Sequence, residues 1–459
     1  MSDLRSNEQG KPLSFRGLAG AMWLEMFLLL LMGNSDTLML SFVSDQAVAA
    51  VGYANQFVTL SLLVLRVVTV GTQVLLAQYL GARMWQDAAR VAALSLAINL
   101  LVGVVLSIGL WAFRIPLLRL LHVDADVLPA AEVYLAVVGG FLFLQAAVNG
   151  ATGILRTYGY ANEALLASVG MNVLHVIGNG LLIYGLGTIP AMGVTGAAIA
   201  TVASRWMAMI GLAVMLVRLT PVRIEWKGLL AVRREDIRAL LRIGIPAAIE
   251  TLTYHLVQTM FLSWISLMGT GAVAARQYVM NITMFLTLFT GAFSSASSIL
   301  VGRMVGGGEY DRAYGQVWRS LGWSLGWVTL LNLAAVMFGR ELMSIFSADR
   351  QIIEWGTQLL MLNLLLETGK AVSMNIVGAL RSVGDAPITV WAGLISMAGI
   401  SLPAGYLLGV EWGLGLAGIW LATSLDEWLR GLSLLIRWRS RRWQSMTLVT
   451  RAGPSVPAK

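Results

Sequence analysis

Apolar runs of twenty or more residues follow one another along almost the whole chain, separated by short stretches that hold charge, proline or glycine. A bilayer's hydrocarbon core of about 30 Å takes about 20 mostly apolar residues of α-helix. Placing breaks at the polar clusters predicts twelve such helices. They cover residues 17–42, 49–79, 87–112, 127–155, 163–185, 190–217, 243–268, 273–302, 312–338, 352–380, 386–409 and 413–437. The second and eighth runs exceed a perpendicular crossing, which predicts tilt or protrusion beyond the lipid. The first run is too long for a leader, so it reads as a retained helix.

Composition agrees with this pattern. Of 459 residues, 57% are hydrophobic and 12% charged, about half the roughly 25% charge of soluble proteins. With no cysteine and three histidines, the chain has no thiol chemistry and no Cys/His zinc site. The net charge of +8 gains meaning once the basic residues are placed. If both termini are cytoplasmic, that side receives 22 Lys and Arg: Arg5, Lys11, Arg16, Arg83, Arg90, Arg156, the seven between Arg218 and Arg242, Arg303, Arg312, Arg381, and six from Arg437 to Lys459. The opposite loops hold four, namely Arg114, Arg119, Arg340 and Arg350. The positive-inside rule therefore predicts a multi-pass protein of the cell membrane with both termini inside. The excess charge reports orientation and predicts no nucleic-acid partner. The stretch 218–242 reads as an amphipathic cytoplasmic linker near anionic headgroups, between a lobe at 17–217 and a lobe at 243–438. Residues 1–16 and 439–459 form cytoplasmic tails.

The two lobes are copies. Ala47-Val48-Ala49-Ala50 returns as Ala272-Val273-Ala274-Ala275, Leu155-Arg156-x-x-Gly159 returns as Leu380-Arg381-x-x-Gly384, and Glu25 falls on Glu250, each 225 residues on. Gly193-x-x-Gly196-x-x-x-Ala200-Thr201 returns as Gly415-x-x-Gly418-x-x-x-Ala422-Thr423 at an offset of 222. Six spans per repeat make both halves enter the membrane in the same sense. This implies a pseudo-two-fold axis along the membrane normal and two lobes that can alternate access to a central path. The fold class is thus an all-α polytopic membrane protein of two pseudo-symmetric six-helix lobes.

Ionisable groups at span depth cost at least about 2.5–3.5 kcal/mol each on insertion scales, so six acids need a reason: Glu25, Asp36, Glu250, Glu367, Asp426 and Glu427. Asp36 lies beside Gly33, Asn34 and Ser35 in a helix otherwise rich in Leu and Met. A carboxylate there can take up a proton or Na⁺ and release it when its surroundings change. Glu25 is eleven residues earlier, about 20° away around the helix and about 16 Å along it. Both acids thus face one side, read as a substrate cavity, and Glu250 takes the matching place in the second lobe with Tyr254 one turn on. Glu367 and Lys370 share a helix face, as do Asp426 and Arg430. Arg66, Arg205 and Arg276 have no acid near in sequence and read as side chains snorkelling to an interface. The 16 Trp and 22 Met suit membrane packing as well as an adaptable binding surface.

Asp36-Thr37, Ala47 to Gly52, Leu155-Arg156-x-x-Gly159, Gly193 to Thr201, Gly244-Ile245-Pro246-x-x-x-Glu250 and Leu380 to Asp385 occur in one order and spacing. In them the chain resembles the MATE (multidrug and toxic compound extrusion) transporters over essentially its whole length. The resemblance implies a V-shaped twelve-helix antiporter, not an enzyme. Such a protein exports small amphipathic or cationic organic compounds in exchange for H⁺ or Na⁺, as a monomer and without a cofactor. It also implies a cation site at Asp36, Asn179 and Thr201, which could hold Na⁺. His175 stands one turn before Asn179, where the family often has Asn, and many members have Asp at the position of Asn179. Both departures remove negative charge and favour H⁺. One branch of the family couples through carboxylates of the tenth and seventh helices, and the matching positions here are Lys370 and Tyr254. Glu25, Glu250, Tyr254, Glu367 and Lys370 are accordingly the residues assigned to the substrate cavity.

A lipid-linked precursor flippase of related fold is the alternative, and the membrane-depth acids argue against its anionic cargo. The major facilitator fold wants G-x-x-x-D-R-x-G-R after the second span, where Gly81 to Arg90 does not fit. A membrane enzyme would need a loop constellation, and Asp124, Asp126, Glu309 and Asp311 are scattered.

Overall fold

The computed structural model describes residues 13–222 and 233–449. Within them, twelve principal helices follow the twelve apolar runs. The first six are α1 (Phe15–Ser41), α2 (Asp45–Gly81), α3 (Trp85–Leu120), α4 (Leu128–Gly139 with Leu142–Tyr158), α5 (Ala161–Tyr184) and α6 (Val194–Leu219). The remainder are α7 (Arg234–Ser266), α8 (Thr270–Gly306), α9 (Tyr310–Met337), α10 (Arg350–Ser382), α11 (Ala386–Glu411) and α12 (Gly415–Arg439). Among the described residues there is no β-strand, only an isolated bridge from Leu186 to Ile189 in the α5–α6 turn. The chain divides into two compact units at Gly244 and Ile245.

Eight of these helices are long and apolar enough to cross a membrane singly, and α4 makes a ninth as a pair bent by 42°. The bend follows a π-helical turn at Leu135–Gly139 and sits at Gly139-Gly140, where two residues without side chains let the backbone kink. The other three, α7, α10 and α12, are long but carry internal charge: Glu250, Glu367 with Lys370, and Asp426, Glu427 with Arg430. Helices α2 and α8 each run for 37 residues, about 55 Å, well beyond the hydrocarbon core. Helix α3 continues through Pro116 to Leu120, past the end expected at residue 112.

The tails and linker depart from a plain surface reading. Residues 1–12, 223–232 and 450–459 lie outside the described residues, and with them much of the expected linker and both tail ends. Helix α7 begins at Arg234, nine residues before the expected seventh span. Its first turns belong to the first unit, where Asp236 is buried and accepts from Tyr79 Oη and Arg90 Nε, both at 3.3 Å. After α12, a 3₁₀ turn at Arg442–Met446 returns Trp443 onto Trp438, with ring centroids 4.3 Å apart.

The internal repeat is visible in the backbone. Gly159 and Gly384 end α4 and α10 with φ of 97° and 95°, a left-handed cap for which glycine has no steric cost. Gly196 and Gly418 mark close helix crossings. A Cβ on Gly196 would lie 2.4 Å from the Leu182 carbonyl oxygen, and one on Gly418 would lie 2.6 Å from that of Leu408. Each unit also holds two apolar clusters. In the first, one gathers Leu40, Ile183 and Ala197 and the other Met32, Met171 and Ala208. Along α1, α5 and α6 a short interval separates them, and the polar residues of the site occupy it. The second unit repeats this with Phe261, Leu360 and Trp420 against Val372, Ile376 and Leu434.

Substituting Gly196→Ala or Gly418→Ala forces backbone apart and is expected to destabilise the protein by about 1–3 kcal/mol. Gly211→Ala, which meets nothing within 4 Å, should be neutral or stabilising by up to about 1 kcal/mol. Thermal unfolding of the three purified variants in detergent measures the difference. Equal midpoints would remove the close-crossing argument.

Candidate functional site

Asp36 sits in the last third of α1, between Met32 of one apolar cluster and Leu40 of the other. Asn179 Nδ2 donates to Asp36 Oδ1 at 2.6 Å, and His175 Nε2 lies 3.1 Å from the same oxygen. His175 Nε2 also lies 3.2 Å from Thr201 Oγ1, which donates to the Ala197 carbonyl at 2.9 Å. The spacing on α5 explains the convergence: His175 and Asn179 are one turn apart on one face, and that face meets α1. All four side chains are buried, His175 and Asn179 completely. The structure thus brings together the four residues expected to form the cation site.

Two further residues complete this cluster. Tyr134, on the first segment of α4, is buried with its hydroxyl against Thr201 and Asn55. Arg205 follows Thr201 by one turn on α6 and is buried, with Asp36 and Tyr134 as its electrostatic neighbours. The expectation that Arg205 snorkels to an interface is therefore corrected. Arg276 does not snorkel either: it is buried and donates from Nη2 to Gln258 Oε1 at 2.9 Å. A clue to Arg205 was present, since it shares the helix face of Thr201. Tyr134 gave only the general signal that a tyrosine hydroxyl in an apolar span needs a partner.

Glu25 and Glu250 were assigned to a substrate cavity, and the structure places them in ion pairs instead. Arg156 grips Glu25 through Nη2 and, at 2.9 Å, through Nε, while Ser168 Oγ donates to Glu25 Oε1 at 3.2 Å. In the second unit Arg381 Nη2 pairs with Glu250. Both acid and arginine recur at the offset of 225, so the duplication copied the pair intact. A buried, doubly bonded carboxylate is a poor attractant for a cationic ligand, because its charge is already met.

The second unit adds charge to its copy. Arg430 reaches three carboxylates: Glu427 at 2.6 Å, Glu250 at 3.4 Å and Asp426 at 3.8 Å. Ser373 and Ser396 bond Glu427 and Asp426. Asp426 does pair with Arg430, but Glu427 is the nearer partner. Lys370 Nζ donates to Glu367 Oε1 at 3.0 Å and to Thr287 Oγ1 at 2.9 Å. Tyr254, Glu367 and Lys370 line one cavity with Gln258, Arg276 and Glu427. That cavity is about 50 Å³, the room of one or two waters and far below the roughly 300 Å³ of a small-molecule site. Among the described residues, no group of three or more His, Cys, Asp or Glu is placed to hold a metal ion.

Comparison with known proteins fits this arrangement. The family model MatE matches twice, at residues 21–181 and 246–407, and the two matches start at the offset of the repeat. The uncharacterised transporter YisQ of Bacillus subtilis (strain 168) is 37% identical over 433 residues, covering 94% of this chain and 95% of that protein. A probable multidrug resistance protein NorM of Thermotoga maritima is 26% identical over 430 residues, covering 93% and 92%. Among solved structures, a MATE transporter of Vibrio cholerae superposes with a TM-score of 0.87 at 18% identity, covering 97% of this chain and all of that one. A MOP superfamily transporter of Pyrococcus furiosus superposes at 0.83 and 22% identity, covering 96% and 97%. With its twelve helices, its duplicated architecture and a family match across both units, this multi-pass membrane protein belongs to the MATE family of transporters.

Proposed function

We propose that the protein is a proton-coupled antiporter that exports amphipathic, cationic organic compounds across the cell membrane by alternating access, as a monomer with both termini cytoplasmic. The observation that carries this reading is the carboxylate–imidazole pair of Asp36 and His175, 3.1 Å apart and withdrawn from solvent between two apolar clusters. A pair of this kind exchanges a proton at little structural cost, because both members keep a hydrogen bond in either state. Asp36 Oδ1 already faces an Asn179 N–H and His175 Nε2, so that oxygen is engaged by nitrogen groups and poorly disposed to ligate Na⁺. The name of the Thermotoga maritima relative, a probable multidrug resistance protein, supports the substrate class.

The coupling sequence follows from charge. A proton taken up by the Asp36–His175 pair from outside adds one positive charge to the site and so favours release of a cationic compound. An inward proton gradient therefore drives export. The paired charges of the second unit, with Glu427 and Glu250 on Arg430 and Glu367 on Lys370, serve to hold its helices together in this reading. They offer no basic cleft for the anionic cargo of a flippase.

Two outcomes are expected in proteoliposomes loaded with an organic cation dye. Asp36→Asn should abolish export driven by a pH gradient and lower the thermal midpoint, since Arg205 is left without its counter-charge. Undiminished export by that variant would end the proton-coupling reading. His175→Asn should keep the fold and slow pH-driven export roughly tenfold, the worth of one hydrogen bond to a charged group. Initial rates of dye efflux against imposed pH steps measure this; a His175→Asn variant as fast as the parent would remove the imidazole from the mechanism.

A further inference from the structure

Arg205 is the largest unexplained charge in the first unit. It lies on α6, 8% exposed, and neither its Nε nor its Nη1 has a hydrogen-bond partner. A buried guanidinium short of hydrogen bonds is costly, and its retention calls for a reason. Its electrostatic neighbours are Tyr134 and Asp36. Thr201, one turn earlier on the same face, bonds His175, which in turn meets Asp36. Two more atoms of this cluster, His175 Nδ1 and Asn179 Oδ1, are likewise buried without a partner. The titratable and charged groups that face Asp36 are thus Tyr134 from α4, His175 from α5 and Arg205 from α6.

We propose that Arg205 is a tethered counter-cation that sets the ion specificity of the Asp36 site. It supplies, from the protein itself, the positive charge that a bound metal cation would otherwise bring, so the emptied site is neutral and excludes Na⁺. The inference rests on the reading of Asp36 as the coupling carboxylate and adds what selects the coupling ion. Magnitudes favour it. As a general scale, two like unit charges within about 6 Å of each other, at an effective dielectric of about 20, weaken binding of the second roughly a hundredfold or more. A proton escapes the same exclusion because it forms a covalent bond to oxygen or nitrogen and needs no shell of oxygen ligands. An amphipathic organic cation escapes it because apolar contacts carry most of its binding. Arg205 is a positioning and specificity residue, since it acts through Asp36 and needs no contact with the transported compound.

The test compares the full-length protein with Arg205→Met, Arg205→Lys and Asp36→Asn. Each is read for dye export under a pH or Na⁺ gradient, and for the shift of the unfolding midpoint when choline chloride is replaced by sodium chloride. The parent and Arg205→Lys should be indifferent to Na⁺ in both readouts. Arg205→Met should acquire Na⁺-driven export at least about fivefold above its rate without a gradient, together with a midpoint raised by Na⁺. A folded Arg205→Met that stays indifferent to Na⁺ overturns the proposal. Should Arg205→Met fail to fold, the double variant Arg205→Met with Asp36→Asn decides. Recovery of folding supports charge compensation between the two residues, and continued failure overturns it. Retained pH-driven export in Asp36→Asn alone would instead defeat the coupling role of Asp36, a result that involves no change at Arg205.

Discussion

Taking a carboxylate out of water without a partner costs more than any single packing contact returns. In a helix bundle surrounded by lipid, the partner has to come from the bundle itself. Each compact unit of this protein meets that constraint in its own way, and helix placement follows from it. The Glu25–Arg156 pair ties α1 to α4, with Ser168 bringing in α5. Its copy Glu250–Arg381 ties α7 to α10, and Arg430 adds α12. These pairs lie at element crossings that the repeat preserves, which makes them structural fasteners common to both halves.

The halves then part. In the first unit the interval between the apolar clusters holds one carboxylate, one imidazole, an amide, a hydroxyl and a guanidinium that is short of hydrogen bonds. In the second, the corresponding interval is filled with charge that is closely paired: three carboxylates around Arg430, and Glu367 held by Lys370 and Thr287. At the offset of 222, Arg205 corresponds to Glu427, so one position has opposite charge in the two copies. A loosely satisfied cluster can change its protonation with little rearrangement, whereas a network of short ion pairs resists it. On this ground the proposed coupling falls to the first unit.

Much of the fold was legible in the sequence because lipid imposes so strong a pattern. Twelve runs became twelve helices, and the glycines repeated in both halves turned out to cap helices or to mark crossings where no side chain fits. Asp36, His175, Asn179 and Thr201 were legible as a group through helix spacing and family resemblance. Pairing was harder to read. Arg156 and Arg381 were counted with the basic residues of one membrane face, yet they hold Glu25 and Glu250. The clue was available, since acid and arginine both recur at 225 residues, but a partner 131 residues away is invisible to any rule of helix spacing. Arg205 was missed for the same reason: its acid is on another helix.

The central claim is that Asp36 exchanges a proton for a cationic compound. It is tested most directly by counting protons released when an organic cation dye is added to the purified protein in weakly buffered detergent solution with a pH indicator. Linkage requires that a compound competing with a proton for one site displaces it. The account predicts release of about one proton per dye bound by the parent protein and none by Asp36→Asn. Equal release from both proteins, or dye binding by the parent without any release, would contradict it.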